Sequence, residues 1–506
     1  MVAALDRALP AAGSIGRALF FLTLGVYVAT AGGSLTSTDA VVAFDVTQQI
    51  VDHGTVAMSR NLLGMDAHRG SDGRYYSPFG VAQSIFNVPF LLAGRAATTM
   101  TGVRIGKPDS VPKAAVAMSQ TLLGATIVWQ VFRFGIAATG EIAPSLWASI
   151  VLAFGSVLWP YARFGFNQPL AAATLLASVL CAVTGARQGR TSRLRWSGVW
   201  LAIGLMTRHE VGLAIVPIAM WIAIDGHPVP GERRRRLLAF LPGVIAGVAI
   251  WLAFNWLRFG NPIDSGHLRD PIPGFGSPIL AGLAGLLASP STSIFLYSPM
   301  ALAGVWGLWR GRDRSIGALC AALFVAFLLF YATLGNWTGG RSYGSRYLVV
   351  VLPYLAVALA MGLATLERTK ARAIAISLLV LGAIVQLPGV LVDYAKVSQS
   401  AAIAAGGRSR EALQWDWPAS GLAMNAGAAA TAVPANVRYV TGLAAPPPVE
   451  RSADTSDRGF SQQFAFSLDW WWMYLFYLGA LSRVAMVTLI VAMTVWIGGW
   501  ARRLSS

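Results

Sequence analysis

Asp39 opens the polar segment behind the first apolar run, and Arg163, Arg341 and Arg346 stand at the borders of later apolar runs. A carboxylate can accept a proton from a hydroxyl, and guanidiniums match phosphate oxygens through paired N–H donors. Asp39 lies in STDAVVAFDVTQQIVDHG, Ser37 to Gly54, which reads as an amphipathic helix. At about 100° per residue, Val42, Ala43, Val46 and Ile50 share one side, and Asp45, Gln48, Gln49 and Asp52 the other. That contrast suits a helix lying in the membrane interface. An acid in the first turn also complements the helix dipole, so a capping role and a catalytic role are both open for Asp39. Asp45 lies about 9 Å further along the helix, too far for a close carboxylate dyad, and a solvated helix face also accounts for it.

The other candidates lie near apolar runs. Gly339-Gly340-Arg341-Ser342-Tyr343-Gly344-Ser345-Arg346-Tyr347 places three glycines and two arginines before a span, so backbone N–H groups and guanidiniums can converge on an anion. Arg163, in WPYARFGFNQP, reads as a phosphate ligand or as an arginine that snorkels at a span end. Arg208-His209-Glu210 interrupts two short apolar runs, where ionisable groups are costly and are either functional or paired with each other. Tyr75-Tyr76-Ser77-Pro78 fixes the start of a second interfacial helix. The stretch 258–293 carries His267 with Asp264, Arg269 and Asp270, but a single histidine without zinc-ligand spacing makes no metal site. Cys181 and Cys320 both sit inside apolar runs, which leaves no disulfide framework. Walker loops, HExxH helices and CxxC pairs are absent from the sequence.

The elements that must position these residues are membrane spans. The chain is 55% hydrophobic and only 12% charged, which defines an all-α polytopic membrane protein. Its net charge of +17 then reflects basic loops placed by the positive-inside rule, not nucleic-acid binding. The apolar run ending at Gly33 carries a candidate cleavage site at Ala29-Thr30-Ala31, but reads better as an uncleaved first span. The short run Phe79–Ala93 is ambiguous, and loop charge decides it. If it does not cross, Arg187/Arg190/Arg193/Arg195, Arg233 to Arg236, Arg310/Arg312/Arg314, Arg368/Lys370/Arg372 and Arg502/Arg503 all fall inside. The expectation is about twelve spans, both termini cytosolic, and the candidate residues gathered in external loops. Residues 1–392 form the main module, with a first external loop over 34–113. Residues 393–469 form an external Ala/Gly/Pro-rich segment, and 470–506 an aromatic interfacial stretch followed by a last span over Leu475–Gly499.

With these residues in place, the chain resembles the GT-C superfamily of polyprenyl-phosphate-sugar-dependent glycosyltransferases, especially the protein O-mannosyltransferases and lipid A aminoarabinose transferases. In that group an acid after the first span opens an interfacial helix that ends at a glycine fifteen positions later, the spacing of Asp39 and Gly54. Trp337 to Pro353, WTGGRSYGSRYLVVVLP, is similar to a W-x-G-G-x-x-x-G-x-R-Y-L element of bacterial members. FNWLRFGNPIDSG (Phe254–Gly266) and LYSP (Leu296–Pro299) also look like that subgroup. Two departures stand out: Asn167 and Gln168 occupy a region where relatives carry an acid, and Ala40 follows Asp39 where many have a second acid.

The resemblance implies a GT-C-like bundle in the cell membrane. It would take a polyprenyl-phosphate-linked sugar as donor and a glycan, lipid or protein hydroxyl as acceptor, with membrane lipids around it and no nucleic-acid partner or cofactor. Asp39 would be the base, and Arg341, Arg346 and Arg163 would hold the donor phosphate, with inversion at the anomeric carbon. Tyr76, Tyr343, Arg208, Glu210, His267 and Asp45 are the candidates for further substrate contacts, and no metal is expected. Two rival classes are a transporter or flippase of lipid-linked sugars and a non-catalytic subunit of an envelope-assembly complex.

Overall fold

A computed structural model describes residues 2–59, 67–101, 109–267, 275–340, 342–398, 413–445 and 468–505. Helix α1 (Val2–Ala29) is followed by α2 (Thr38–His53), a two-stranded hairpin of β1 (His68–Arg69) and β2 (Tyr75–Tyr76), α3 (Ala82–Thr101) and α4 (Ser110–Thr139). Then come α5 (Ile142–Phe154), the short α6 (Leu158–Tyr161), α7 (Gln168–Arg187), α8 (Thr191–Leu205), a 3-10 turn His209–Ala214, α9 (Ile215–Ile224) and α10 (Pro230–Phe259). Residues 275–398 hold α11 (Ile279–Ala288), α12 (Ile294–Tyr297), α13 (Met300–Arg310), α14 (Arg314–Ala332), α15 (Leu352–Leu363) and α16 (Arg368–Leu391). Helices α17 (Gly421–Thr441), α18 (Trp471–Tyr477) and α19 (Arg483–Ser505) complete the order.

Among the described residues, seven helices (α1, α4, α7, α10, α14, α16 and α19) are long and apolar enough to cross a membrane. Shorter apolar helices are α5, α9 with the turn before it, α11 and α15. Helix α15 is buried along its whole length, and glycines let its neighbours approach closely: a Cβ on Gly304 or Gly307 of α13 would fall 2.5 Å from the Leu355 carbonyl oxygen or 1.9 Å from that of Ala358. Such small-residue contacts substitute for the hydrophobic driving force that lipid removes.

The two ends differ in chemistry. At one, Arg187 at the end of α7 bridges Asp225 after α9 (3.1 Å) and Asp313 before α14 (2.5 Å). Ser315 donates to Asp225 at 2.6 Å, and Arg236 near the start of α10 donates to the Asp225 carbonyl at 2.9 Å. The expected internal clusters at 187–195, 233–236 and 310–314 therefore meet on one face. The opposite end carries α2, the hairpin and the turns before α7, α9 and α15.

Two details differ from expectation. The last span does not run unbroken from Leu475: α18 ends at Tyr477, and α19 starts at Arg483 after a turn with Gly479 at φ +73°. Trp471 and Trp472 donate their indole N–H groups to the carbonyls of Val28 and Ala29 at 2.9 and 2.8 Å. They cap the open C-terminus of α1, whose last carbonyls have no intrahelical partner. The run expected to begin at Phe79 forms α3, a 20-residue helix packed against α2 and α4.

Candidate active site

Asp39 is placed by the local chemistry of α2. Ser37 caps the helix and accepts the Ala40 N–H at 3.1 Å, which leaves Asp39 in the first turn near the positive end of the dipole. Gly54 closes the helix with φ +62°, and its N–H donates to the Ile50 carbonyl at 3.2 Å. That left-handed cap is open to glycine at no steric cost. The carboxylate is buried, and its Oδ2 accepts no hydrogen bond.

Arg346 stands opposite, with Nη1 at 3.6 Å from Asp39 Oδ2. The turn that carries it uses Gly339, Gly340 and Gly344, all with φ near +71° to +73°. Its guanidinium lies over the rings of Phe166 and Tyr347, 5.3 and 5.0 Å from their centroids, and its Nε is buried without a partner. Burial works against its charge, but the Asp39 carboxylate and Tyr347 outweigh burial and hold it more firmly protonated than usual. Asp39 Oδ2, without a hydrogen bond, thus faces Nη1 of a guanidinium whose Nε is also unpartnered.

Asp39 lines a small open cleft with Ala43 and Val46 of α2, Ser77, Phe79, Gln83 and Ser84 ahead of and within α3, Asn167, Phe254 and Arg258. The cleft has an apolar floor with a few convergent polar groups, as ligand sites commonly do. Among the described residues no three His, Cys, Asp or Glu side chains converge on a point that would hold a metal ion.

The remaining predicted residues divide. Arg208 and Glu210 reach the site from the turn before α9: Arg208 Nη1 donates to Asn167 Oδ1 at 2.7 Å, and its Nε donates to Glu210 Oε1. Tyr331 donates to the same Glu210 oxygen at 2.9 Å and stacks on Tyr347, with centroids 4.9 Å apart. Their polar atoms are directed at protein groups, with Asn167 as the link to the cleft. His267 stands 5.1 Å from His209 and 5.6 Å from Phe79, ring centre to ring centre, at the cleft margin. Asp45 accepts the Ser59 N–H at 2.9 Å and ties the chain after α2 to the helix; burial pushes its carboxyl above the ordinary range, against that bond. Tyr76 donates to Asp72 at 2.7 Å and holds the hairpin closed.

Two predicted residues lie elsewhere. Arg163 is fully buried and spends its guanidinium on the protein, donating to the carbonyls of Thr30, Gly389 (3.1 Å) and Asp469, and to the Asp469 carboxylate at 3.2 Å. It is a tie between α1, α16 and the stretch before α18, not a cleft residue. Tyr343 is also fully buried, with its hydroxyl on the Val385 carbonyl and its ring edge against Tyr297. Arg341 lies outside the described residues.

Sequence reasoning named Asn167 only as a departure and gave Arg258 no role. Arg258 ends α10 and donates to the Ser77 carbonyl at 2.5 Å and to Asn255 at 2.8 Å, while its Nε is buried without a partner. A lone arginine in the last turn of a long apolar helix was the available signal.

A bundle of apolar helices with interfacial elements over a cleft at one end makes this a polytopic membrane protein of GT-C-like fold. The apo crystal structure of ArnT from Cupriavidus metallidurans is similar to it, with a TM-score of 0.51, 98% of this chain and 78% of that chain covered, and 11% identity. At that identity the likeness is one of fold. No family profile and no curated protein matches the chain in sequence.

Proposed function

We propose that the protein is a membrane glycosyltransferase that moves a sugar from a polyprenyl-phosphate carrier to an acceptor hydroxyl. Asp39 takes the hydroxyl proton, the acceptor oxygen bonds to the anomeric carbon, and the bond from that carbon to the phosphate oxygen breaks. The electron pair leaves on the phosphate, and displacement from the opposite face inverts the sugar. The leaving phosphate is a weak base, so it needs charge stabilisation and no protonation. Arg346 supplies that positive charge in this reading.

The observation that carries the proposal is the buried Asp39 oxygen that lacks a hydrogen bond and faces Arg346 at 3.6 Å, in a residue that lines the cleft. An ionised carboxylate buried in this way is costly unless something uses it. The GT-C-like fold supports a lipid-linked donor, because its site lies at the end of a membrane bundle.

The test is transfer by purified protein reconstituted in liposomes with a polyprenyl-phosphate sugar, comparing wild type with Asp39→Asn. General-base catalysis contributes about 10²- to 10⁴-fold, so Asp39→Asn is expected to lose at least that much rate while keeping its fold and donor affinity. A well-folded variant with full activity would remove Asp39 as the base. Movement of intact donor across the bilayer, with no carrier phosphate released, would replace the transferase reading with transport.

A further inference from the structure

Asn167 lines the cleft with Asp39, is almost entirely buried, and sits directly after Phe166, the ring beneath the Arg346 guanidinium. An asparagine amide has one accepting and one donating end, and its neighbours decide which faces where. Here the choice is forced. Arg208 can only donate, and its Nη1 lies 2.7 Å from the Asn167 side chain, so the carbonyl oxygen must face Arg208. Arg208 is itself fixed by Glu210, whose oxygen also accepts from Tyr331 at 2.9 Å. With Oδ1 turned to Arg208, the NH₂ end is left for the cleft.

We propose that Asn167 is a substrate-binding residue whose amide N–H donates to a substrate oxygen, with Arg208 and Glu210 as the positioning residues that aim it. The proposal rests on the glycosyltransferase reading, since it needs an oxygen-rich ligand in the cleft. An acid in this place would present acceptors and repel a phosphate; the amide gives a neutral donor beside the Asp39–Arg346 pair. Phosphate oxygen and sugar hydroxyl share the accepting chemistry, and the two probes below separate them.

The rival is that Asn167 only anchors Arg208. Asn167→Asp tells the two roles apart where its weakening exceeds that of Ser84→Asp, which puts the same repelling charge on the cleft wall with Asn167 intact. Equal weakening of the two overturns the inference. A carboxylate still accepts from Arg208, so a purely structural role survives the change, while the donor to the cleft is lost. Binding to the full-length protein in detergent would be measured for polyprenyl phosphate and for mannosyl polyprenyl phosphate, alongside thermal stability. A hydrogen bond to a charged or sugar oxygen predicts a Kd raised about tenfold or more in both Asn167→Asp and Asn167→Ala, even where Asn167→Asp melts like wild type. Weakening for both probes assigns the contact to phosphate; weakening only for the mannosyl probe assigns it to sugar. Wild-type affinity of Asn167→Asp for both probes overturns this inference alone. Failure of wild type to bind either probe overturns it together with the glycosyltransferase reading.

Discussion

The carboxylate of Glu210, in the turn outside the spans, is held ionised by its neighbours, and this makes the cleft end acid-sensitive. Burial raises its pKa, but the Arg208 guanidinium, helped by His209 and a backbone N–H, outweighs burial and brings it down to about 2. Its ordinary value is 4.5. The folded state therefore binds this proton less readily than the unfolded chain. The stabilisation is fully present above about pH 4.5 and is lost as pH falls towards 2. Melting temperatures of detergent-solubilised protein should drop across that window, and Glu210→Gln should flatten the drop. An unchanged acid limb in Glu210→Gln would show that the pair does not govern it. At this scale the sequence was legible where a residue's role is set by near neighbours. Asp39 owes its place to the cap at Ser37 and the helix that follows, all within a few residues. Arg163 was not legible, because its partner Asp469 lies about three hundred positions away and nothing local distinguishes a snorkelling arginine from a buried tie.

Turns, more than helices, carry the candidate site, and the glycines of the turn 339–344 can be ranked by what surrounds them. Gly340 and Gly344 share φ +71°, but an added Cβ meets nothing within 4 Å at Gly340 and lies 2.6 Å from the Tyr297 ring at Gly344. Alanine at Gly340 should cost the left-handed conformation alone, roughly 1–2 kcal/mol. At Gly344 it must also displace a fully buried ring, and overpacking adds about 1–3 kcal/mol more. Half-inactivation temperatures of the two variants should separate in that order; equal losses would show that Tyr297 yields freely. The spans were readable as apolar runs, since a bilayer imposes length and hydropathy on each one independently of its partners. The break between α18 and α19 escaped that reading because Leu475–Leu481 is as apolar as a span. What interrupts it is the left-handed turn at Gly479, φ +73°, which hydropathy does not register.

Seen whole, the molecule has an ion-paired end and a cleft end, and each set of turns shares one side. Arg187, Asp225, Asp313 and Arg236 join the turns between α7 and α8, α9 and α10, and α13 and α14, so those turns share one side of the membrane. Asp39, Asn167, Arg208 and Arg346 lie at the other end, as does the hairpin. Basic loops are retained on the cytosolic side, which puts the cleft on the external face if the protein follows that rule. Labelling decides it. Ser71, exposed in the hairpin turn, and Gln188, exposed after α7, sit at opposite ends. In a background with Cys181 and Cys320 replaced, a membrane-impermeant maleimide added to intact cells should modify Ser71→Cys and leave Gln188→Cys untouched until the membrane is opened. The reverse pattern would turn the protein over and move the cleft to the cytosol. Labelling of both positions in intact cells would contradict the shared side that the ion pairs impose.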